Sequence, residues 1–226
     1  MNTAIIAAAG SGSRFGPEKP KQFVLIAGRP MILHTIGRFA SCAAVDEIIV
    51  VAAADRVGYV TELIERDEPA KPLRVVAGGP SRAASVHNGL LAASAQAEVV
   101  AVHDAARPMV TPYDIEIVIK RAAETGAACL AVPMVDTVKQ AESGWITGTL
   151  DRRTLWRAMT PQAFRRDVLL AAFEQAQISD AVTDECSLVE RLGVPIAIVE
   201  GDPRNIKVTT AADLAVAEFY IGEQTK

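Results

Sequence analysis

The chain has 226 residues, half of them hydrophobic, and carries 23 Lys and Arg against 27 Asp and Glu for a formal charge of −4. That length and apolar content can bury a full core as one α/β domain over residues 1–226, and no linker interrupts it. The basic residues are scattered instead of forming a stripe, which argues against a general nucleic-acid or anionic-membrane binder; any polyanion contact should be local.

The first apolar run, Ala4–Ala9, follows no Lys or Arg and breaks at Gly10, too short for a signal peptide or a membrane span. Cys42, Cys129 and Cys186 are odd in number and widely spaced, with no metal knuckle or redox dithiol, and free thiols imply a reducing, cytoplasmic compartment.

A glycine-rich turn follows that first run. Gly10 and Gly12 allow φ > 0 and close backbone approach, so successive N–H groups can converge on phosphate oxygens, and Arg14, Lys19 and Lys21 add positive charge. The segment reads as a triphosphate-binding loop. It is not the common phosphate cradle, because Phe15 stands five residues after Gly10 and Pro17 five after Gly12. A dinucleotide fingerprint fails too: Phe15 takes the place of the third glycine, and no Asp or Glu lies between Glu18 and Asp46 to hold a ribose.

Strand-length apolar runs recur at Ala4–Ala9, Glu47–Ala53, Leu73–Ala77, Val99–His103, Ala128–Pro133 and Ile196–Glu200, separated by helical segments. Thr111-Pro112 begins a helix that ends near Thr125, and Thr210 with Asp213 three residues on begins another over Leu214–Tyr220. This alternation predicts a mostly parallel sheet with helices on both faces and ligands at the carboxyl ends of the strands. His34 and His87 fall in helices as packing or surface residues; only His103 adjoins a chemical cluster. Asp136 to Leu150 has no helical period and reads as an inserted hairpin around a glycine-containing turn. Trp145 and Trp156 either dock against a second subunit or pack on their own domain.

Three further clusters follow strands. Gly78-Gly79-Pro80-Ser81-Arg82 opens a helix containing Ser85 and suits a base or sugar, or is a plain helix-start turn. His103-Asp104-Ala105-Ala106-Arg107-Pro108 offers one carboxylate for Mg²⁺, or a surface Asp104–Arg107 ion pair. Gly201 to Lys207 supplies a second cationic site, expected across the sheet from the first, while Thr137, Arg152, Arg153 and Thr160 come from the irregular middle segment. No Ser-His-Asp order, Cys-His pair or two-carboxylate site supplies a nucleophile or strong base. This suits nucleotidyl transfer to a phosphate monoester, whose second pKa near ~6 leaves it largely dianionic at neutral pH.

These segments, with Leu155-Trp156-Arg157-Ala158-Met159-Thr160-Pro161-Gln162, Thr183-Asp184-Glu185 and Asn205-Ile206-Lys207-Val208-Thr209, closely resemble the 2-C-methyl-D-erythritol 4-phosphate cytidylyltransferases of the non-mevalonate isoprenoid pathway. The resemblance implies a Rossmann-like nucleotidyltransferase fold and transfer of CMP from CTP with Mg²⁺. It also implies a homodimer joined by a protruding arm at about 134–157; because Thr137 and Arg152 bracket a hairpin that seldom stabilises itself, the active site is expected to be shared between subunits. It matches Ala8, Ala9, Gly10, Gly79 and Ser85 to the nucleotide, beside which Gly12 of the loop and Pro80 of the turn are also expected to line the nucleotide site, and Arg14, Lys21 and Lys207 to catalysis. Asp104, Arg107, Thr137, Arg152, Thr160, Thr183 and Lys207 match the acceptor site, with Asp104 also the metal ligand. Pro80 departs from that pattern, since proline offers only its carbonyl. The alternatives are a cytidylyltransferase for ribitol 5-phosphate, disfavoured by the Trp156 block and the Asn-Ile-Lys end, and a non-catalytic nucleotide-binding protein, disfavoured by the joint presence of Lys21, Asp104 and Lys207. The chain stops after its last expected helix, which disfavours a fused synthase domain.

Overall fold

A computed structural model of the chain describes residues 1–10, 20–176, 182 and 184–223. The strands are β1 (Asn2–Ala8), β2 (Leu25–Ile26), β3 (Arg29–Pro30), β4 (Glu47–Ala52), β5 (Leu73–Ala77), β6 (Val99–Asp104), β7 (Ala127–Pro133), β8 (Lys139–Glu142), β9 (Trp145–Thr149), β10 (Trp156–Arg165) and β11 (Ala197–Glu200). The helices are α1 (Met31–Ala40), α2 (Val57–Glu65), α3 (Arg82–Ala92), α4 (Pro112–Thr125), α5 (Arg166–Gln175), α6 (Glu185–Glu190) and α7 (Ala211–Glu223). Seven strands form the main sheet in the order β11-β7-β10-β6-β1-β4-β5, all parallel to their neighbours except β10. The expected α/β class, with a mostly parallel sheet and helices on both faces, is what the chain adopts.

Continuous apolar runs form these strands because both faces are covered, so alternate residues of one strand enter different cores. Ala4, Ile6 and Ala8 pack with α1 and α4, while Ile5 packs with α3 and α5. On α3, a Cβ at Gly89 would come 2.8 Å from both Ile5 and Val51, so glycine lets this helix sit directly on the sheet. The Thr111–Asp114 capping box with Pro112 starts α4. Thr210 and Asp213 exchange bonds before α7, Oγ1 accepting from the Asp213 N–H at 3.2 Å and Oδ2 from the Thr210 N–H at 2.8 Å.

One strand was not expected. The segment around Trp156 and Thr160, read as irregular, is β10, which runs antiparallel between β6 and β7 at the centre of the sheet. Pro161 argues against a central strand because it cannot donate to a ladder, and the pairing with β7 shifts register between Ala158 and Gln162, around that proline.

The expected hairpin is present as β8 and β9, separate from the main sheet. Ser143 and Gly144 turn it with φ of 49° and 85°, the left-handed pair that matches the twist of a tight hairpin.

Candidate active site

The carboxyl ends of β1, β5 and β6 open on one cleft of about 440 Å³. One wall is the Ala8–Gly10 end of β1, and the facing wall is the turn from Gly79 to Ser85. Gly10 faces open space and has no positive φ, so its lack of a side chain, and not a left-handed backbone, is what the site uses. Gln22, buried, donates to the carbonyls of Ala8 at 2.8 Å and Gly10 at 3.2 Å, pinning the β1 end in place.

The Gly78–Gly79 turn is pressed against its neighbours: a Cβ would meet Ala9 at 2.6 Å from Gly78 and Ala84 at 2.7 Å from Gly79. Ser85 Oγ accepts from the Gly79 N–H at 3.1 Å and donates to the Ser81 carbonyl at 2.8 Å, while Ser81 Oγ caps α3 by accepting from the Ala84 N–H at 3.1 Å. The turn is therefore a rigid edge of the cleft as well as the start of a helix. Pro80 lines it and contributes only a carbonyl.

Asp104, the last residue of β6, stands in the floor. Lys207 Nζ lies 2.8 Å from Oδ2, Arg82 Nη2 3.3 Å from Oδ1, and Arg107 Nε 3.7 Å from Oδ2. Burial pushes the carboxyl up, but Arg82, Lys207 and Arg107 outweigh it and hold Asp104 well below the usual carboxylate range. The Asp104–Arg107 pair exists, yet it is not a surface pair: Asp104 is buried, and Arg107 is held from the other side by donating to the Asn205 carbonyl at 2.8 Å.

Lys207 corrects an expectation. It does not form a second site across the sheet but lines the same cleft as Lys21 and Asp104. After β11, at the far edge, the chain returns over β7 and β10. Asn205 Nδ2 donates to the Thr160 carbonyl at 2.8 Å and the Val208 N–H to the Ala106 carbonyl at 2.8 Å, locking Lys207 beside β6. Of that cluster's other cation, Arg204, the guanidinium pairs with Asp202.

The acceptor residues divide. Thr160 is buried, and its hydroxyl accepts from the Asp104 N–H at 3.1 Å, so it supports the floor from behind. Thr137 and Arg152 are exposed at either end of the hairpin and do not line the cleft of their own chain; Arg152 donates to the Val135 carbonyl at 2.6 Å. Trp145 is 79% exposed and does not pack on its own domain; Trp156 is partly exposed at the base. Gly12, Arg14 and Thr183 lie outside the described residues. His103 points away from the cleft chemistry: it is buried against Phe39, its Nε2 meets the Arg107 carbonyl at 3.1 Å, and burial lowers its pKa to about 4.

Two residues had no role in the sequence reading. Arg82 lines the cleft beside Asp104, and Glu185, the first residue of α6 and 0% exposed, binds it at 2.6 Å. The available signal was the placement of Arg82 directly after Gly78-Gly79. Among the described residues, four cations, Lys21, Arg82, Arg107 and Lys207, stand with two carboxylates, an excess of positive charge that favours anions.

Residues 2–223 match the model of the family described as IspD, 2-C-methyl-D-erythritol 4-phosphate cytidylyltransferase. A relative of that name from Pelotomaculum thermopropionicum is 45% identical over 221 residues, covering 96% of this chain and 93% of its own. Another of the same name from Solibacter usitatus is 43% identical and covers 97% and 95%. The crystal structure of 4-diphosphocytidyl-2C-methyl-D-erythritol synthase from Anaerococcus prevotii superposes with a TM-score of 0.85 at 28% identity, covering 97% and 95%.

Proposed function

Because the chain belongs to the 2-C-methyl-D-erythritol 4-phosphate cytidylyltransferase family, we propose that its cleft transfers CMP from CTP to 2-C-methyl-D-erythritol 4-phosphate. Pyrophosphate and 4-diphosphocytidyl-2-C-methyl-D-erythritol are the products. An oxygen of the acceptor phosphate forms the new bond to the α-phosphorus, and the bond from that phosphorus to the α–β bridging oxygen breaks, with the electron pair leaving on pyrophosphate. No proton has to be removed.

The observation that carries this reading is the state of Asp104. It is the lone carboxylate lining the cleft among the described residues, and three cations hold it ionised and weakly basic. A site without a competent base fits a nucleophile that arrives already charged. The work left to the protein is positioning and charge neutralisation. Ala8, Ala9, Gly10 and the Gly79–Ser85 turn take the cytidine, and the tight Gly78–Gly79 packing supports a slot sized for a pyrimidine. Lys21 and Lys207 take phosphate charge, together with Arg14 from the loop.

Mg²⁺ fits the donor set. Asp104 offers one hard oxygen ligand, and the described residues contain no group of three or more His, Cys, Asp or Glu to cage a metal alone, as suits an ion whose other ligands are phosphate oxygens and water. When bound, it neutralises triphosphate charge.

The acceptor half is completed by a second copy in a homodimer. Thr137 and Arg152 are exposed at the two ends of a hairpin whose Trp145 and Ile146 are 79% and 67% exposed, and an isologous dimer would carry each hairpin to the other's cleft. The three cysteines are buried and free, which supports a cytoplasmic location, and no described helix is long and apolar enough to cross a membrane.

The test is pyrophosphate release over a panel of CTP, UTP, ATP and GTP, each with methylerythritol phosphate and with ribitol 5-phosphate. Turnover confined to CTP with methylerythritol phosphate is expected. Equal turnover of ATP, or preference for ribitol phosphate, would overturn the assignment.

A further inference from the structure

Arg82 is bound asymmetrically. Its Nη1 donates to Glu185 at 2.6 Å, a short charge-assisted bond, while its Nη2 reaches Asp104 only at 3.3 Å. Glu185 is fully buried, its Oε2 has no hydrogen-bond partner, and burial pushes its carboxyl up against the opposing pull of Arg82, so Arg82 is the cation that offsets part of that burial. Removing that partner would strand a buried carboxylate, so the Glu185 end of the bridge is the fixed end. The Asp104 end faces the cleft, between the Gly79–Ser85 turn and Lys207. Asp104 would keep Lys207 at 2.8 Å if Arg82 let go.

We propose that Arg82 is a further catalytic residue: when the cleft fills, its Nη2 leaves Asp104 for an oxygen of the nucleotide α-phosphate, while Glu185, a positioning residue, holds the Nη1 end. The inference rests on the nucleotidyl-transfer reading and deepens it. Release of Asp104 and capture of the phosphate become one motion, so the carboxylate becomes available as the nucleotide seats. Arginine is required because its planar fork serves two acceptors at once, which a lysine ammonium at that reach does not reproduce.

The choice of the α-phosphate follows from the bridge: Arg82 belongs to the turn that would hold the base, and its Nη2 shares the Asp104 carboxylate with Lys207, so a nucleotide reaching from that turn toward Lys207 would meet the guanidinium before the lysine.

The experiment uses the full-length protein and two readouts. Binding of CTP and of CMP is measured by calorimetry without acceptor, and steady-state turnover is measured separately. Arg82→Gln should weaken CTP and CMP alike by at least about tenfold, the scale of one lost charged hydrogen bond, and lower kcat by roughly 10²–10³. Arg82→Lys should recover only part of either. Glu185→Gln, which keeps shape and removes charge, should move CTP affinity and kcat in the same direction with the acceptor KM unchanged, and the double variant should be no worse than Arg82→Gln alone.

Wild-type CTP and CMP affinity in Arg82→Gln would overturn the proposal. So would a loss confined to CTP, which puts the guanidinium on the leaving pyrophosphate, or a Glu185→Gln effect that adds in full to that of Arg82→Gln. Should Arg82→Gln fail to fold because it strands Glu185, the Arg82→Gln/Glu185→Gln double variant, which buries no unpaired carboxylate, and Arg82→Lys still decide the α-phosphate contact; should Glu185→Gln fail to fold, the two Arg82 variants do. If the wild type releases no pyrophosphate from CTP, the reaction reading fails while the CTP and CMP binding arms stand on their own.

Discussion

The cleft and the hairpin carry the same kinds of residue, arginine and threonine with an aromatic nearby, in opposite physical states. In the cleft, Arg82 and Arg107 are partly buried and each is held by a carboxylate or carbonyl on a second element. At the hairpin, Arg152 and Arg153 are exposed and, among the described residues, bond within the arm, Arg152 to the Val135 carbonyl at 2.6 Å and Arg153 to Asp151 at 2.7 Å. The difference teaches where preorganisation is complete. The cleft's cations are held by partners from distant elements before any ligand arrives, whereas the hairpin's are held only from within the arm and stay open to solvent.

The sharpest break between the regions is in stability. Phe164, fully buried on β10 among α5 residues, should cost about 3–5 kcal/mol as Phe164→Ala in urea unfolding. Trp145→Ala, at a site 79% exposed, should change unfolding stability of dilute protein by no more than about 0.5 kcal/mol. In sedimentation, however, Trp145→Ala should weaken self-association. A large loss of monomer stability from Trp145→Ala would mean that the hairpin is packed on its own domain after all.

Catalysis follows. Lys21→Ala removes one preorganised cation from the cleft and should lower kcat by roughly 10²–10³ in a pyrophosphate-release assay. Near-normal kcat would take Lys21 out of the mechanism.

The pH response tests the burial of the cleft's supports. Burial holds His103 at about 4 in the folded protein against the ordinary 6.5 of a histidine, so below 6.5 the unfolded chain takes up a proton that the folded chain refuses. Stability is therefore full above pH 6.5 and falls by roughly 3 kcal/mol as pH drops toward 4. Asp104, held below its ordinary value, continues the loss at lower pH as its ion pairs are protonated away. Urea unfolding of the metal-free protein at several pH values, with an NMR titration of the imidazole, measures this; a His103 that titrates near 6.5 would contradict its burial.

The smallest expected change is in the stability of Arg152→Ala, within about 0.5 kcal/mol, and it matters because activity should fall nonetheless. Mixing Arg152→Ala with Lys21→Ala chains should restore activity, since one site in each mixed dimer then carries neither defect. No recovery in verified mixed dimers would confine each site to one chain.

Much of this was legible in the chain. The β1 run and Gly10, the Gly79–Ser85 turn and Asp104 at the end of β6 were placed correctly because a buried parallel strand writes a continuous apolar run and the residues after it fall at the sheet's ligand edge. The hairpin was visible from its broken period and its glycine. β10 was not, because Pro161 and its polar neighbours obscure a strand that tolerates them through a register shift. Lys207 was misplaced for the same reason. Its distance from β1 could not be judged without knowing that β10 enters between β6 and β7 and that Asn205 ties the returning chain to it.

Local pattern by itself determined six of the seven strands of the main sheet, the starts of α4 and α7 and the chemical character of the strand ends, because those depend on residues a few positions apart. Tertiary structure alone decided which cations share Asp104, that Glu185 on α6 reaches Arg82 on α3 across 103 positions of sequence, and that His103 is a buried prop and not a participant. Such pairings are set by strand order and by where buried charge finds a partner, and neither is written in the spacing along the chain.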